Sequence, residues 1–224
     1  MCGRYTLKTA PELVAGQFQF EELLDAKPRY NIAPSQLVAC VRMVPVSKKR
    51  EGVMRRWGLI PSWAKDPSIG QKLINARAKT VAEKPSFRRS FRQRRCLVLA
   101  DGYYEWQNEG RGKLPYYIRM NDGRPFAFAG IWDHWTDGEG QTIESCAMLT
   151  TEPNELMATI HHRMPVILKP EDYGGWLDVS LQDSTELSRF LYSYPAADMV
   201  AFPVSLKVNN PRFDDPACIE TVDV

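Results

Sequence analysis

Residues 94–106 read Arg94-Arg95-Cys96-Leu97-Val98-Leu99-Ala100-Asp101-Gly102-Tyr103-Tyr104-Glu105-Trp106, and the fold class turns on how this stretch is parsed. Cys96–Ala100 is an apolar run of strand length, Asp101-Gly102 is strong turn chemistry, and Tyr103–Trp106 is aromatic-rich. Working outward, Tyr116–Met120 and Ala127–Trp132 repeat the pattern, with the Asn108–Lys113 and Asn121-Asp122-Gly123 turns between them. Ser145–Thr150, Val166–Leu168 and Met199–Val204 read as later strands. Leu37–Val44 and Val53–Leu59 read as a hairpin across the polar Ser47–Gly52 connection. Helical spacing covers Pro11–Ala26, with Leu13, Val14, Phe18, Leu23 and Leu24 as its apolar positions, and short helices are expected at Pro153–Thr159, Pro170–Leu177 and Ser184–Tyr192. Strands that follow one another through hairpins predict an antiparallel-rich α+β fold, not a doubly wound sheet. No linker or repeat divides the chain, so residues 1–224 are expected to form one domain.

Composition narrows the function classes. With 44% apolar and 25% charged residues the chain can bury a sizeable core, which excludes disorder, collagen and coiled coil as descriptions of the whole. A net charge of +2 excludes a polycation but leaves room for a local basic face. No apolar run approaches the roughly 20 residues of a membrane span. Met1-Cys2-Gly3-Arg4-Tyr5 lacks the apolar segment of a secretory leader. Five scattered cysteines without Cys-x-x-Cys spacing argue against a disulfide framework or zinc knuckle, and a reducing cytoplasm is expected. P-loop, dinucleotide-binding and Gly-x-Ser-x-Gly patterns do not occur.

Five groups of residues carry candidate chemistry. Cys2, once Met1 is removed, offers an α-amine of pKa about 8 beside a thiol that the ammonium should acidify. Such a 1,2-aminothiol condenses with an aldehyde and closes a thiazolidine ring; the plain alternative is a buried small hydrophobe. Phe87–Arg95 places five arginines around a helix whose Phe87 and Phe91 share a face, suited to phosphates or simply to a solvated, ion-paired face. Glu105, a carboxyl among aromatics, should have a raised pKa unless it faces outward. Asn75 and Arg77 alternate onto one strand face, fitting a phosphate or sugar oxygen as well as a wet strand edge. His161 and His162, if extended, point to opposite faces, so at most one should enter a site. With three histidines in all and no metal-binding spacing, neither a metal nor another cofactor is expected.

Several of these stretches together resemble the SRAP (SOS response-associated peptidase) family. They are Met1–Tyr5, Arg29-Tyr30-Asn31-Ile32-Ala33-Pro34, Arg56-Trp57-Gly58-Leu59-Ile60-Pro61-Ser62-Trp63, Asn75-Ala76-Arg77-Ala78, Arg94–Leu97, Ala100–Trp106 and Ile160-His161-His162-Arg163-Met164-Pro165. The resemblance implies a single SRAP-type domain with a mixed, barrel-like sheet core flanked by helices. It implies a sensor of abasic sites in single-stranded DNA that caps them through a thiazolidine cross-link on Cys2. Lyase side activity and self-removal of residues ahead of the cysteine belong to the same expectation. By the same resemblance Asn75 orients sugar and amino terminus, Glu105 transfers protons, and His161 protonates the departing sugar oxygen. Arg4, Arg77 and Arg163 would hold phosphates, and Trp63, Pro34 and Trp106 would line the strand's path. A monomer that associates with the nucleoid only through DNA is expected.

Three positions depart from the family pattern: His162 where aspartate is common, Lys79 where an acid is frequent, and Leu99 where proline is usual. The first two should add positive charge near the DNA and make binding tighter and more salt-sensitive. Three other readings remain, of which a protease specific for other proteins has the least support because no catalytic triad is legible. An N-terminal-nucleophile amidohydrolase also opens Met-Cys-Gly but would need glutamine-binding motifs, and a non-covalent single-stranded or modified-DNA binding module would be indifferent to Cys2→Ala.

Overall fold

Asp101-Gly102 joins two strands that lie in different sheets. The computed structural model describes residues 2–21, 27–110 and 112–223. In chain order its strands are β1 (Tyr5–Leu7), β2 (Arg29–Ile32), β3 (Leu37–Met43), β4 (Arg50–Trp57), β5 (Asn75–Arg77), β6 (Arg95–Ala100) and β7 (Gly102–Glu109). There follow β8 (Gly112–Met120), β9 (Phe126–Thr136), β10 (Thr142–Thr151), β11 (Met164–Pro165), β12 (Ile167–Leu168) and β13 (Met199–Pro203). The helices are α1 (Pro11–Phe18), α2 (Arg88–Gln93), α3 (Glu155–Ala158), α4 (Tyr173–Leu177) and α5 (Ser184–Ser188).

One sheet has the order β13-β8-β7-β1-β2. The other contains β10-β4-β3-β6-β9, and β9 pairs back onto β10, so these five strands close into a barrel. An odd ring cannot alternate direction throughout, so at least one neighbouring pair must be parallel. That pair is β10 with β4, Cys146 opposite Trp57. The α+β class and barrel-like core therefore hold.

The expected chain of hairpins does not. β3 and β4 form the expected hairpin, Leu37 opposite Arg56 through Met43 opposite Arg50, and β7 and β8 form another. The other two turn signals change sheets instead: β6 pairs with β3 and β9, while β8 pairs with β7 and β13. A turn signal sets the bend of the chain but not the partner of the next strand. Helices α1 and α5 are also shorter than their apolar spacing predicts. Gln19, in the left-handed region at φ 59°, ends α1; Leu23 and Leu24 lie outside the described residues.

The barrel interior is layered. Trp57 sits near one end, with the edge of Tyr5 against it at 5.4 Å between ring centroids. Cys40, Cys96 and Cys146 occupy the middle, fully buried and unbridged. Gly130 is required there, because a Cβ would lie 2.7 Å from Val98 and 2.8 Å from the Cys96 sulfur. Toward the other end the fully buried Arg55 stacks over Trp132 at 4.3 Å and meets Glu144 at 3.1 Å. No helix among the described residues is long and apolar enough to cross a membrane.

The corner is held by a carboxylate. Asp101 Oδ1 accepts from Thr6 Oγ1 at 2.6 Å, and Oδ2 accepts from the backbone N–H groups of Lys8 and Thr9 at 2.7 and 2.9 Å and from Thr9 Oγ1 at 3.0 Å. Its own N–H donates to the Thr6 carbonyl at 2.9 Å. Asp101→Ala leaves several donors without an acceptor and is expected to cost at least about 3 kcal/mol in urea unfolding. A loss below about 1 kcal/mol would contradict this account of the corner.

Candidate active site

β1 carries the amino-terminal residues along the edge of β7. Tyr5 lies opposite Tyr103, and pairing continues beyond β1 as Tyr104 N–H donates to the Arg4 carbonyl at 3.0 Å. Continued, that register sets Gly3 opposite Glu105 and brings Cys2 beside the carboxylate. Cys2 is fully buried. Its carbonyl accepts from Asn75 Nδ2 at 2.8 Å.

Asn75 is placed from beneath. The Ile74 carbonyl accepts from Trp57 Nε1 at 3.0 Å and from Met148 N–H at 3.1 Å, which starts β5 running parallel to β10. The pleat then turns Asn75 and Arg77 to one side and buries Ala76, as alternation predicts.

Glu105 faces inward, with 2% of its surface exposed, so the outward-facing alternative is excluded. Burial pushes its carboxyl up, against the pull of positive charges including Arg163. Burial and the Glu105 carboxylate likewise push the Cys2 thiol up, outweighing the amino-terminal charge. With Met1 in place the Cys2 nitrogen is a peptide nitrogen, and in this dry recess desolvation dominates at the thiol; the acidified thiol expected after Met1 removal concerns the processed chain.

His161 follows α3, whose first turn is capped by the Asn154 side chain accepting from Met157 N–H at 2.8 Å. His161 N–H donates back to the Met157 carbonyl at 2.8 Å, and Gln107 Nε2 of β7 donates to the Thr159 carbonyl at 2.7 Å, tying this segment to the Glu105 strand. The chain bends at His162, so strand alternation fails and the two imidazoles stack at 4.3 Å, on one side and not on opposite faces. Burial lowers the His161 pKa to about 4.

Two arginines meet across the end of β10. Arg77 of β5 is paired with Thr150, and β11 brings Arg163 in beside Thr151. They line a shallow recess of about 50 Å³ together with Thr150, Thr151 and Glu152. Burial and the neighbouring Arg77 charge both lower the Arg163 pKa. Around Cys2 and this recess, Asn75 Oδ1, Arg4 Nε, Arg163 Nη1 and the Tyr103 hydroxyl are buried without a hydrogen-bond partner. These atoms therefore retain unused hydrogen-bonding capacity around Cys2 and the recess.

The remaining predicted residues are distributed differently. Pro34 lies two residues beyond Ile32, the partner of Tyr5, at the Cys2 end of β2. Trp63 is 59% exposed on the loop after β4, whose Ser62 N–H donates to Asp133. Trp106 alternates to the opposite face of β7 from Glu105, and its Nε1 donates to Asn209 at 2.8 Å. The arginine-rich helix is largely structural. Arg95 is buried and donates to the carbonyls of Phe91, Arg92, Trp176, Asp178 and Leu181, while Arg94 pairs with Asp133. Only Arg88, Arg89 and Arg92 of the five-arginine run are exposed. Lys79 is not a bare charge, since it pairs with Glu152 at 2.8 Å, and Leu99 lies inside β6 opposite Ala127. Among the described residues no cluster of His, Cys, Asp and Glu is arranged to hold a metal ion. Tyr103 was not singled out in the sequence, although it stands two residues before Glu105 on the same strand face.

The fold is a five-stranded barrel with a second sheet that brings Cys2 beside the buried Glu105 and into the grip of the Asn75 amide. Residues 1–211 match the SOS response associated peptidase (SRAP) family, and the chain belongs to it. It is 43% identical to abasic site processing protein YoqW of Bacillus subtilis strain 168 over 225 residues, covering 99% of this chain and 100% of that protein. It is 29% identical to abasic site processing protein HMCES of Xenopus tropicalis over 265 residues, covering 99% and 78%. A solved protein of Bacteroides thetaiotaomicron matches with a TM-score of 0.88 at 29% identity, covering 99% of this chain and all of that one.

The His161 ring is expected to titrate near pH 4, and to be neutral across the physiological range, in an NMR titration of its ring protons. A midpoint at or above about 6, close to the ordinary histidine value, would contradict the burial described here.

Proposed function

We propose that this protein recognises abasic sites in single-stranded DNA and caps them through Cys2 after loss of Met1, acting as a monomer. The observation that carries the reading is the Asn75 clamp on the Cys2 carbonyl beside a buried Glu105. Relatives named abasic site processing proteins support it. An abasic site is the aldehyde of DNA, and it has no base to unstack on entering a recess.

The steps balance without a cofactor. The sugar ring opens as the bond from C1 to the ring oxygen breaks, that oxygen takes a proton, and the C1 hydroxyl gives up its own proton to become the aldehyde carbonyl. The Cys2 amine adds to C1, water leaves, and an imine forms. Sulfur then adds to the imine carbon, and its proton passes to nitrogen to give the thiazolidine. Glu105, with its raised proton affinity, shuttles protons among amine, carbinolamine and thiol. His161 is neutral at rest and serves as proton donor to the ring oxygen once phosphates offset the positive charge around it. Arg4, Arg77 and Arg163 hold the flanking phosphates, and Pro34 and Trp63 border the strand's path. Fixing the aldehyde against the amine supplies part of the roughly 7–11 kcal/mol available from proximity. The same imine can eliminate the 3′ phosphate, so thiol closure is what suppresses strand cleavage. Removal of Met1 is the peptidase step this reading requires.

On a denaturing gel, protein whose intact mass shows loss of Met1 should give a heat-stable shifted band with single-stranded DNA bearing one abasic site. Undamaged DNA and Cys2→Ala should give none; a band from Cys2→Ala, or no band from confirmed free Cys2, overturns the mechanism. His161→Ala should slow band formation by about 100-fold.

Binding should be strongly salt-dependent. Arg77→Gln should reduce the slope of log affinity against log salt by about one, and His162→Asp should also flatten it. Lys79→Ala should change the slope little, because Glu152 already offsets that charge. Unchanged slopes for Arg77→Gln and His162→Asp would remove these residues from the DNA path.

A further inference from the structure

One three-residue strand, β5, contributes a residue both to the Cys2 contact and to the arginine-lined recess. Asn75 holds the Cys2 carbonyl at 2.8 Å, and Arg77 projects from the same face two residues on. Two residues of strand span about 6.5–7 Å. The recess therefore begins within two residues of the contact that holds Cys2. The recess is small, about 50 Å³, and Arg77 and Arg163 converge on it from either side of β10. Arg163 Nη1 is buried without a partner. Glu152, the carboxylate in the lining, is engaged by Lys79 at 2.8 Å, which limits its repulsion of an anion. Thr150, Thr151, Ala78 and Lys79 itself complete the lining. Burial and then the Arg77 charge lower the Arg163 pKa against the pull of Glu105 and Glu152, and an anion between the two arginines relieves their mutual repulsion.

One phosphate and one aldehyde satisfy this set of contacts, and none of them requires a neighbouring nucleotide. We propose that the site also captures free short-chain phosphorylated aldehydes, selecting them over neutral aldehydes through Arg77 and Arg163. The inference rests on the Cys2 chemistry proposed above and extends it from DNA to small molecules. The step is the same condensation: the amine nitrogen bonds to the aldehyde carbon, the carbonyl oxygen leaves as water, and sulfur bonds to that carbon while its proton moves to nitrogen. Nothing is oxidised or reduced.

The test incubates the full chain, with Met1 loss confirmed by intact mass, with glyceraldehyde 3-phosphate or with glyceraldehyde. The adduct is read as a gain of the aldehyde mass less one water. Two charge-assisted contacts should favour the phosphorylated aldehyde by about tenfold or more in rate. Cys2→Ala should form neither adduct. Inorganic phosphate should abolish the preference in the unmodified chain, and Arg77→Gln should bring the rate ratio toward one. Equal rates, or a preference indifferent to both inorganic phosphate and Arg77→Gln, would overturn the inference. Abasic single-stranded DNA assayed in parallel separates the two readings. A DNA cross-link with equal aldehyde rates defeats only the small-molecule reading, and a phosphate-dependent adduct without a DNA cross-link defeats only the DNA reading.

Discussion

The Asp101 carboxylate is the constraint on which the arrangement depends. The chain leaves the barrel at Ala100 and enters the second sheet at Gly102, and at that point both carboxylate oxygens are spent on the β1 segment, from Thr6 to Thr9. Gly102 keeps the corner tight, because a Cβ there would lie 2.1 Å from the Tyr117 hydroxyl, which itself bonds Thr6 Oγ1 at 2.9 Å. Side-chain acceptors are normally used to cap helices or local turns. Here one is used to dock the start of the chain onto a strand nearly a hundred residues later. Three residues of β1 are few to hold an amino terminus in place, and without that anchor the end of the chain would fray.

The barrel supplies the other half of the site through its odd strand number. The parallel β10–β4 pair leaves the carboxyl end of β10 free beyond Trp57, and β5 joins β10 there, also in parallel. Asn75 and Arg77 thus reach the end of β10 from one side while β11 brings Arg163 from the other. Cys2 and Glu105 arrive from the second sheet. The cysteine, acid, amide and arginines therefore come from segments far apart in sequence, and they converge only because the two sheets share the Asp101 corner.

Much of this was legible in the sequence, for identifiable reasons. Glu105 stands out as a charge inside an aromatic strand, and the period of two places Asn75 and Arg77 together. The β3–β4 hairpin follows from two apolar runs around a polar connection. What could not be read depends on non-local partners. Asp101-Gly102 has the local signature of a hairpin, and only the donors of Thr6, Lys8 and Thr9 reveal it as a corner. The arginines of α2 look like a phosphate-binding face until Arg95 is seen to satisfy five backbone carbonyls. The stacked His161 and His162 defeat alternation because the chain bends between them. Trp106 follows Glu105 by one residue, so parity sends it to the opposite face of β7, where its Nε1 donates to Asn209.

Electrostatics give the site a resting state that differs from its working one. Burial raises Cys2 and Glu105 and lowers His161, so each group is biased toward its neutral form. A neutral thiol is a poor nucleophile, and that protects a cysteine from adventitious oxidation. On the proposed reaction the bias reverses when substrate enters. Phosphates on Arg77 and Arg163 reduce the positive charge bearing on His161, favouring its protonated form. The iminium carbon, once formed, lies against the sulfur and carries the positive charge that a thiolate requires, and Glu105, having given its proton to the departing carbinolamine hydroxyl, can receive the thiol proton. The nucleophile is then released by the intermediate it attacks, and commitment to ring closure follows aldehyde capture instead of preceding it.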